Sequence, residues 1–297
     1  MTFWGHALST EGVRRAVIIN GHETAYESAS THIEDRGYQF GESVYEVLAF
    51  YSGTPLRLSE HLSRLSRSAV AIGLELPSSE SLIRDIARAA GMADIVTGSV
   101  YIQVTSGVSP RAHIAQEKLS PTVTIIAQAT PPDRTGLPLV PITCVTVPDE
   151  RWARCNIKTT NLLPNVLARK TAIQRGYDDA LFVRDGLILE GPSNNVFFVR
   201  NGGLLTPPAN NFILEGITRA AIIEVARKLR LEVRQEPVTP EAAYGSQEAF
   251  ITSTIMNIRP ISVIDGQRYP SPIPGPVTDA VYENLLRLID DETNAKT

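Results

Sequence analysis

The sequence has few cysteines, and their spacing fits no cysteine scaffold. Of its 297 residues two are cysteine, Cys144 and Cys155, and they form no C-x-x-C motif. A disulfide framework needs an even series of cysteines, and a zinc ribbon needs two close pairs. Both classes are therefore excluded, and we expect two free thiols in a reducing compartment.

Charge of one sign and long apolar runs are also scarce. The 28 basic and 32 acidic residues leave a formal charge of −4, with no block of like charge. This balance gives no electrostatic footprint for nucleic acid or for an anionic membrane. The longest strongly apolar stretch, residues 137–148, is too short to cross a bilayer and contains two prolines. The first twenty residues hold no apolar signal segment. We expect a cytoplasmic protein.

The widespread catalytic motifs are missing too. The sequence has no P-loop, no G-x-G-x-x-G, no H-E-x-x-H and no G-x-S-x-G. Its five histidines are scattered without the spacing of metal ligands, so no metal site is expected. Motif searching alone therefore leaves the chemistry open.

The length and composition are those of a globular enzyme with about two domains, at roughly 150 residues each. Hydrophobic residues make up 43% and charged residues 20% of the chain. One segment, residues 129–136 (ATPPDRTG), is rich in proline and glycine, which do not continue a strand or helix. We predict an N-terminal domain over 1–129, a linker over 130–136 and a C-terminal domain over 137–297.

Hydrophobic periodicity predicts an α+β fold, with helices on one side of a sheet in the first half. The predicted strands cover residues 17–19 (followed by an Asn-Gly turn), 100–105, 123–127, 145–147, 180–183, 187–190, 196–199 and 250–254. The predicted helices are one capped by Ser59, one that starts at residues 77–79 and ends before Gly91, one over 162–175, and one that follows Gly216.

Four stretches carry side chains suited to anion or cofactor chemistry. Residues 214–219 enter a helix through Gly216 and Thr218, which fits either an anion site at the helix start or a threonine N-cap. Ser253 and Thr254 end a strand and fit either a phosphate contact or a simple turn. The Arg111-Ala112-His113 loop fits either a carboxylate clamp or solvated surface. Lys158 is a nucleophile only if its amine is activated, and otherwise a surface lysine.

Taken together, nine segments resemble the fold-type IV pyridoxal-phosphate (PLP) enzymes, and among them the bacterial D-amino-acid transaminases. They follow the order of that family and reach from Glu34 to about Gly266, most of the chain. The segments are 34–41 (EDRGYQFG), 44–47 (VYEV), 60–65 (EHLSRL), 109–113 (SPRAH), 156–158 (NIK), 190–191 (EG), 195–197 (NVF), 216–219 (GITR) and 252–254 (TST). The resemblance implies a smaller, sandwich-like N-terminal α/β domain and a larger C-terminal pseudo-barrel domain.

The resemblance also implies roles for the cofactor residues. Lys158 would bind PLP covalently and move the proton, and Glu190 would face the pyridine nitrogen and keep the ring protonated. Further residues would hold the phosphate or line the ring, namely Arg64, Leu214, Gly216, Ile217, Thr218, Ser253 and Thr254.

Substrate recognition is implied in the same way. Tyr45, Arg111 and His113 would bind the substrate α-carboxylate, and Ser193 would line the pocket. In the family the arginine and histidine reach the neighbouring subunit's site, which implies a homodimer. Relatives that act on simple (R)-amines or on branched-chain L-amino acids lack this arginine-histidine trap. The resemblance therefore implies transfer from a D-amino acid to pyruvate or a 2-oxoglutarate-type acceptor, by a ping-pong mechanism.

Four positions depart from the family pattern and leave alternatives open. Glu42 and Ser43 stand where Asp-Gly is common, and Pro192 and Asn194 replace serines. These changes affect pocket shape and substrate range. The alternatives are an (R)-amine transaminase, a branched-chain L-amino-acid transaminase, an aminodeoxychorismate lyase and a non-catalytic PLP-binding protein. The last would be expected to have lost Lys158, Glu190 or Arg64.

Overall fold

A computed structural model describes residues 2–3, 6–7, 13–130, 139–270 and 272–294. These fall into two compact units, which we describe separately. The N-terminal unit contains residues 13–130, 157–161 and 290–294, and the C-terminal unit contains 139–156 and 162–289. Grouped with the second are two short paired strands, β1 (Thr2–Phe3) and β2 (His6–Ala7). Most of the expected linker, 131–136, lies outside the described residues, and the domain bounds given above stay a prediction.

The N-terminal unit is built on a six-stranded antiparallel sheet in the order β4-β3-β8-β7-β5-β6. Its strands are β3 (Arg15–Ile19), β4 (His22–Thr24), β5 (Ser43–Tyr51), β6 (Thr54–Pro55), β7 (Gly98–Thr105) and β8 (Thr122–Ala129). Its helices are the 3₁₀ turn Tyr26–Ser28, α1 (Arg36–Phe40), α2 (Leu58–Ile72) and α3 (Ser79–Met92).

Alternation along the strands explains why α2 and α3 lie on one face of this sheet. Val100, Ile102 and Val104 of β7 point into one core, together with Leu65 of α2 and Ile86 of α3. The residues between them in β7 are half-buried on the other face. The expected sheet with helices on one side is confirmed.

Two details of these helices differ from the prediction. Ser59 does not cap α2, because the helix already begins at Leu58. Its N-cap is Arg57, which lies in the left-handed region at φ 51°. The prediction favoured Ser59 because serine is a common capping residue. Gly91 lies inside α3, which continues to Met92. Ser78 caps α3 as predicted, accepting a hydrogen bond from the Ser81 amide.

The C-terminal unit contains a nine-stranded mixed sheet that curls as a half barrel. Its strands are β9 (Ile142–Pro148), β10 (Asp179–Arg184), β11 (Leu187–Ile188), β12 (Asn195–Arg200), β13 (Gly203–Thr206), β14 (Val233–Gln235), β15 (Glu248–Ser253), β16 (Asn257–Ile264) and β17 (Gln267–Arg268). The helices are α4 (Leu163–Gln174), α5 (Ile217–Lys228), α6 (Pro240–Tyr244) and α7 (Pro276–Asn294), whose last turn groups with the N-terminal unit.

Almost continuous apolar strands form the centre of this sheet. β12 and β15 pair so that Phe197 lies opposite Phe250, with stacked rings 5.1 Å apart. Both rings are fully buried. Strands buried on both faces lack alternation. The strands predicted over 196–199 and 250–254 correspond to β12 and β15. The α+β fold class is confirmed.

No helix within the described ranges is both long enough and apolar enough to cross a bilayer.

Candidate active site

Lys158 lies against Tyr45 at the start of β5. Its Nζ is 4.2 Å from the centre of the Tyr45 ring, a cation–π distance. The backbone amide of Lys158 donates to the Ser68 hydroxyl of α2 at 3.1 Å. The side chain is half-buried, so the amine has a fixed surrounding and remains accessible.

Residues 157–161 are tied to β5 largely by backbone bonds. The Tyr45 amide donates to the Lys158 carbonyl at 3.0 Å, and Val44 and Thr159 form an antiparallel bridge. The hydroxyls of Ser43 and Thr160 bond to each other. Ser43, one of the departures from the family pattern, thus helps to fix the segment that carries Lys158.

A buried charge cluster lies beside this segment. Arg64 of α2 donates from Nε and Nη2 to the two carboxylate oxygens of Glu46, at 2.7 and 2.8 Å. His61 Nδ1 is 2.7 Å from the same carboxylate. All three residues are buried, and Glu46 is fully so. Arg64 is therefore fixed by a bidentate ion pair, and its expected contact with a cofactor phosphate stays a prediction.

The cluster is electrostatically satisfied. Burial alone would raise the pKa of Glu46, but hydrogen bonds from Arg64 and His61 outweigh it and lower the pKa to about 2. For His61, burial lowers the pKa more than the Glu46 carboxylate raises it. The imidazole is neutral at pH 7, and its Nδ1–H donates to the ionised Glu46. The cluster therefore contains one positive charge, on Arg64, and one negative charge, on Glu46.

Tyr45 also faces an aromatic neighbour on β7. The Tyr45 and Tyr101 rings are 5.6 Å apart, and the Tyr101 hydroxyl donates to Gln103 Oε1 at 2.8 Å. Burial, and secondarily Tyr45, raises the pKa of Tyr101, so this hydroxyl stays protonated.

Arg111 and His113 both lie near the Phe40 ring of α1. The Arg111 guanidinium is 4.8 Å from the Phe40 ring centre, and the His113 ring is 5.8 Å from it at 50°. Both side chains are exposed on the loop that follows β7. The loop therefore presents a cation and an imidazole side by side.

In the C-terminal unit, Glu190 is held from three sides. Arg151 Nη1 donates to one carboxylate oxygen at 2.5 Å, and Asn195 Nδ2 donates to the other at 3.0 Å. The Leu214 amide lies 3.0 and 3.2 Å from the two oxygens. Arg151 is in turn held by Asp149 through Nε, at 2.8 Å, and packs on the Phe182 ring. This network fixes the position of the Glu190 carboxylate, and its expected contact with a ring nitrogen stays a prediction.

The start of α5 is not capped by Thr218, which was one of the two interpretations of residues 214–219. Gly216 is the N-cap, no side chain caps the helix, and Thr218 lies buried in its first turn. A Cβ on Gly216 would be 2.1 Å from Asn195 Oδ1, so only glycine fits. The first N–H groups of a helix have no intrahelical acceptor, which leaves those of Ile217 and Thr218 for an anion.

The remaining predicted residues lie in the same unit. Ser253 ends β15, and its hydroxyl accepts from the Met256 amide at 3.4 Å; Thr254 follows in the turn to β16. Ser193 is exposed and Leu214 half-buried.

The other two departures from the family pattern have structural roles. Pro192 offers its carbonyl to Asn165 at 2.8 Å. Asn194 is buried and donates to Asp179 at 2.9 Å.

Cys155 has no reactive character. Burial is the main cause that raises the pKa of its thiol to about 11, and its Sγ donates to the Trp152 carbonyl at 3.1 Å. It is a protonated thiol at neutral pH. Both cysteines are free, as expected.

The sequence analysis assigned no role to Glu46, His61, Arg151 or Asn195. Glu46 had a visible signal, because it is an acidic residue on the apolar side of a strand, between Val44 and Leu48. Arg151 gave none, because its bond to Glu190 spans 39 positions.

Comparison with known proteins identifies the family. The profile of the amino-transferase class IV family matches residues 43–264. The chain is 37% identical over 288 residues to a D-alanine aminotransferase of Bacillus licheniformis, covering 95% of this chain and 99% of that one. A D-alanine aminotransferase of Listeria monocytogenes is 38% identical over 276 residues, covering 92% and 96%.

Solved structures agree on the fold. The branched-chain amino acid aminotransferase of Escherichia coli is similar with a TM-score of 0.85 at 26% identity, covering 95% of this chain and 96% of that one. That of Thermoproteus uzoniensis has a TM-score of 0.82 at 28% identity, covering 94% and 96%. The chain belongs to the class IV aminotransferases. It is an aminotransferase that depends on PLP.

The residues present fit that cofactor by their chemistry. Lys158 offers an amine for the aldehyde, and Glu190, fixed by Arg151, offers a carboxylate for the ring nitrogen. The start of α5, where glycine is the N-cap and no side chain caps the helix, offers amide groups for the phosphate.

Proposed function

We propose that this aminotransferase moves an amino group from a D-amino acid to a 2-oxo acid of the pyruvate or 2-oxoglutarate type, by a ping-pong mechanism. Relatives named D-alanine aminotransferase, at 37% and 38% identity over nearly the whole chain, support this. The observation that carries the proposal is the pairing of Arg111 and His113 on the Phe40 ring. It presents a guanidinium fork and an imidazole, which together bind a carboxylate.

The residues act in distinct roles. PLP, when bound, supplies the electron sink that makes the substrate α-proton acidic. Lys158 takes that proton and holds it at Nζ, while Glu190 keeps positive charge on the ring nitrogen. Tyr45, Arg111 and His113 bind the α-carboxylate, and Ser193 lines the pocket. The cofactor is oriented by Arg64, Leu214, Gly216, Ile217, Thr218, Ser253 and Thr254.

The same proposal includes a cytoplasmic homodimer in which Arg111 and His113 serve the neighbouring subunit's site. Two apolar side chains, one on α1 and one on the Arg111–His113 loop, are exposed, Tyr38 at 70% and Ile114 at 80%. A contiguous exposed apolar patch marks an interaction surface, and we propose these two side chains as part of one.

Specificity is tested by half-reactions of the holoenzyme, each followed as the loss of cofactor absorbance. D-Alanine, L-leucine and (R)-1-phenylethylamine are compared in parallel. We expect D-alanine to react fastest, and Arg111→Ala to slow D-alanine far more than the amine, which has no carboxylate. A faster reaction with L-leucine or the amine would instead support the corresponding transaminase alternative. No reaction with any of the three donors would favour the aminodeoxychorismate lyase or the non-catalytic PLP-binding alternative.

Subunit sharing is tested by mixing Lys158→Ala with Arg111→Ala at a D-alanine concentration low enough that Arg111→Ala alone shows little turnover. If Arg111 serves the partner's site, each mixed dimer contains one intact site, and about a quarter of the wild-type activity returns on subunit exchange. If Arg111 serves its own subunit, mixing restores nothing. Sedimentation of the wild-type protein checks that it is a dimer.

A further inference from the structure

Arg36 of α1 connects to the backbone of the Arg111–His113 loop. It is 4% exposed, and its guanidinium donates to the carbonyls of Ala112 and His113 at 2.7 and 2.9 Å. Its Nε bonds to Glu42. Two parallel bonds from a rigid guanidinium fix both position and angle of the acceptor. Arg36 therefore fixes the peptide groups on both sides of His113. Both groups lie just after Arg111 in the chain.

Phe40, one turn further along α1, contacts the side chains themselves. Its ring centre is 4.8 Å from the Arg111 guanidinium and 4.9 Å from that of Arg36. The His113 ring is 5.8 Å away. An aromatic face attracts a guanidinium without using its N–H donors. Phe40 thus restricts Arg111 while leaving those donors for a substrate carboxylate.

The base of this arrangement is anchored on β7. The Arg36 amide donates to the Gly107 carbonyl at 2.9 Å. Asp35, the N-cap of α1, accepts from the Gly37 amide at 2.8 Å and from the Thr105 hydroxyl at 2.9 Å. A Cβ on Gly37 would be 2.4 Å from Thr105 Cγ2. The short helix is therefore packed closely against the strand from which the loop departs.

The positive charge of Arg36 is balanced by Glu42, without use of the loop side chains. Two guanidinium groups near one ring would repel each other, but Glu42 pairs with Arg36 and neutralises it. Glu42 stands where the family commonly has aspartate, and its longer side chain reaches Nε. The positive charge of Arg111 is thereby left for an anionic substrate.

We propose that Arg36 and Phe40 are positioning residues for carboxylate recognition, with Arg36 fixing the loop backbone, Phe40 fixing the Arg111 and His113 side chains, and Glu42 neutralising Arg36. This inference rests on the proposed carboxylate role of Arg111 and His113. It adds two residues that touch no substrate but set the geometry of the residues that do.

The kinetic test compares Arg36→Gln and Phe40→Leu holoenzymes with D-alanine as donor. We expect KM to rise about tenfold in each, as for loss of an orienting partner, with kcat changed less than about twofold. Phe40→Tyr keeps the ring and should restore a near wild-type KM. Arg88→Gln is the matched control, because Arg88 also donates to a distant backbone carbonyl, that of Gly21. An unchanged KM in Arg36→Gln and Phe40→Leu would overturn the proposal.

A double-mutant cycle separates positioning from general damage. In an Arg111→Ala background, Arg36→Gln should raise KM by a smaller factor than in the wild type, because one of the two residues that it positions is gone. Effects that multiply would mean that Arg36 acts elsewhere and would overturn the proposal. Phe40→Leu in the same background gives a second cycle if Arg36→Gln does not fold.

Hydrogen exchange of the peptide that covers residues 107–114 gives an activity-independent readout. Arg36→Gln should speed exchange there and leave β8 unchanged, whereas unchanged exchange at 107–114 would overturn the proposal. An Arg111→Ala variant with wild-type KM would overturn the carboxylate role and this inference with it. If that variant has a wild-type KM while Arg36→Gln speeds hydrogen exchange at 107–114, the proposed function is wrong. Arg36 then still fixes the loop backbone.

Discussion

Arg64 and Glu46 form a bidentate ion pair inside the N-terminal unit, with Nε–Oε1 2.7 Å and Nη2–Oε2 2.8 Å. The pair fixes an arginine that the proposed function assigns to cofactor phosphate. Two parallel hydrogen bonds from a planar guanidinium to one carboxylate fix both its position and its angle. Glu46 therefore positions the buried Arg64 side chain.

Removing the Glu46 charge should destabilise the protein strongly at neutral pH. Glu46→Gln leaves Arg64 buried without its counter-charge, and we expect the free energy of unfolding to fall by about 3–5 kcal/mol. Urea unfolding at pH 7 measures this. Glu60→Gln removes an exposed carboxylate from α2, the helix that carries Arg64, and should change stability by less than about 0.5 kcal/mol.

The same pair predicts a pH window. The folded-state pKa of Glu46, about 2, lies below the ordinary value of 4.5, so the pair contributes fully above pH 4.5. This contribution is lost as the pH falls from there towards 2. The stability difference between wild type and Glu46→Gln should therefore shrink across that window. A difference that stays constant from neutral pH to pH 3 would contradict the ionised buried pair.

Lys158→Ala should abolish both turnover and covalent capture of the cofactor. Borohydride reduction of the wild-type holoenzyme should add one PLP to the protein mass, and reduction of the variant should add none. Turnover should fall by at least about a hundredfold, because the group that moves the proton is lost. Lys170→Ala, an exposed lysine of α4, is the control and should behave as wild type. Retained transamination in Lys158→Ala would refute its role.

Gly216→Ala should weaken PLP binding through Asn195. The added Cβ would lie 2.1 Å from Asn195 Oδ1, and Asn195 bonds to both Glu190 and the Leu214 carbonyl. We expect at least about a tenfold rise in the Kd for PLP, measured by equilibrium dialysis. Gly91→Ala, where a Cβ in α3 meets nothing within 4 Å, should leave PLP binding unchanged and stabilise the protein by up to about 1 kcal/mol. Equal Kd values for both variants would rule out the crowding argument.

The fold was predictable where one sequence pattern sufficed. β7 shows clean alternation, and the turn after β3 has Asn20 and Gly21 in the left-handed region, at φ 49° and 77°, as Asn-Gly predicts. β16 and α7 were missed. β16 contains Pro260, and a proline argues against a strand because it has no N–H to donate to a neighbouring strand. In the structure β16 nevertheless pairs with β15, with Pro260 opposite Phe250.

The site was predictable residue by residue only where a segment matched a family motif. Lys158, Glu190 and the Arg111–His113 loop came from such matches, while composition and spacing left each of them undecided. Residues that act by bonding to these side chains were missed. The partner of Glu190 is Arg151, and that of the loop is Arg36, 76 positions from Ala112. Pairing at such separation follows from the fold and leaves no local signal.

The bond between the Tyr45 amide and the Lys158 carbonyl is made by main-chain atoms, which every residue type other than proline provides at position 45. The backbone position of Lys158 is therefore independent of the side chain at position 45, whereas the Lys158 amine contacts the ring of that side chain. Under the proposed function, replacing the tyrosine would change which carboxylates the enzyme accepts, while the backbone of the lysine keeps its place. Residue 45 would then be a favourable point for engineering substrate preference.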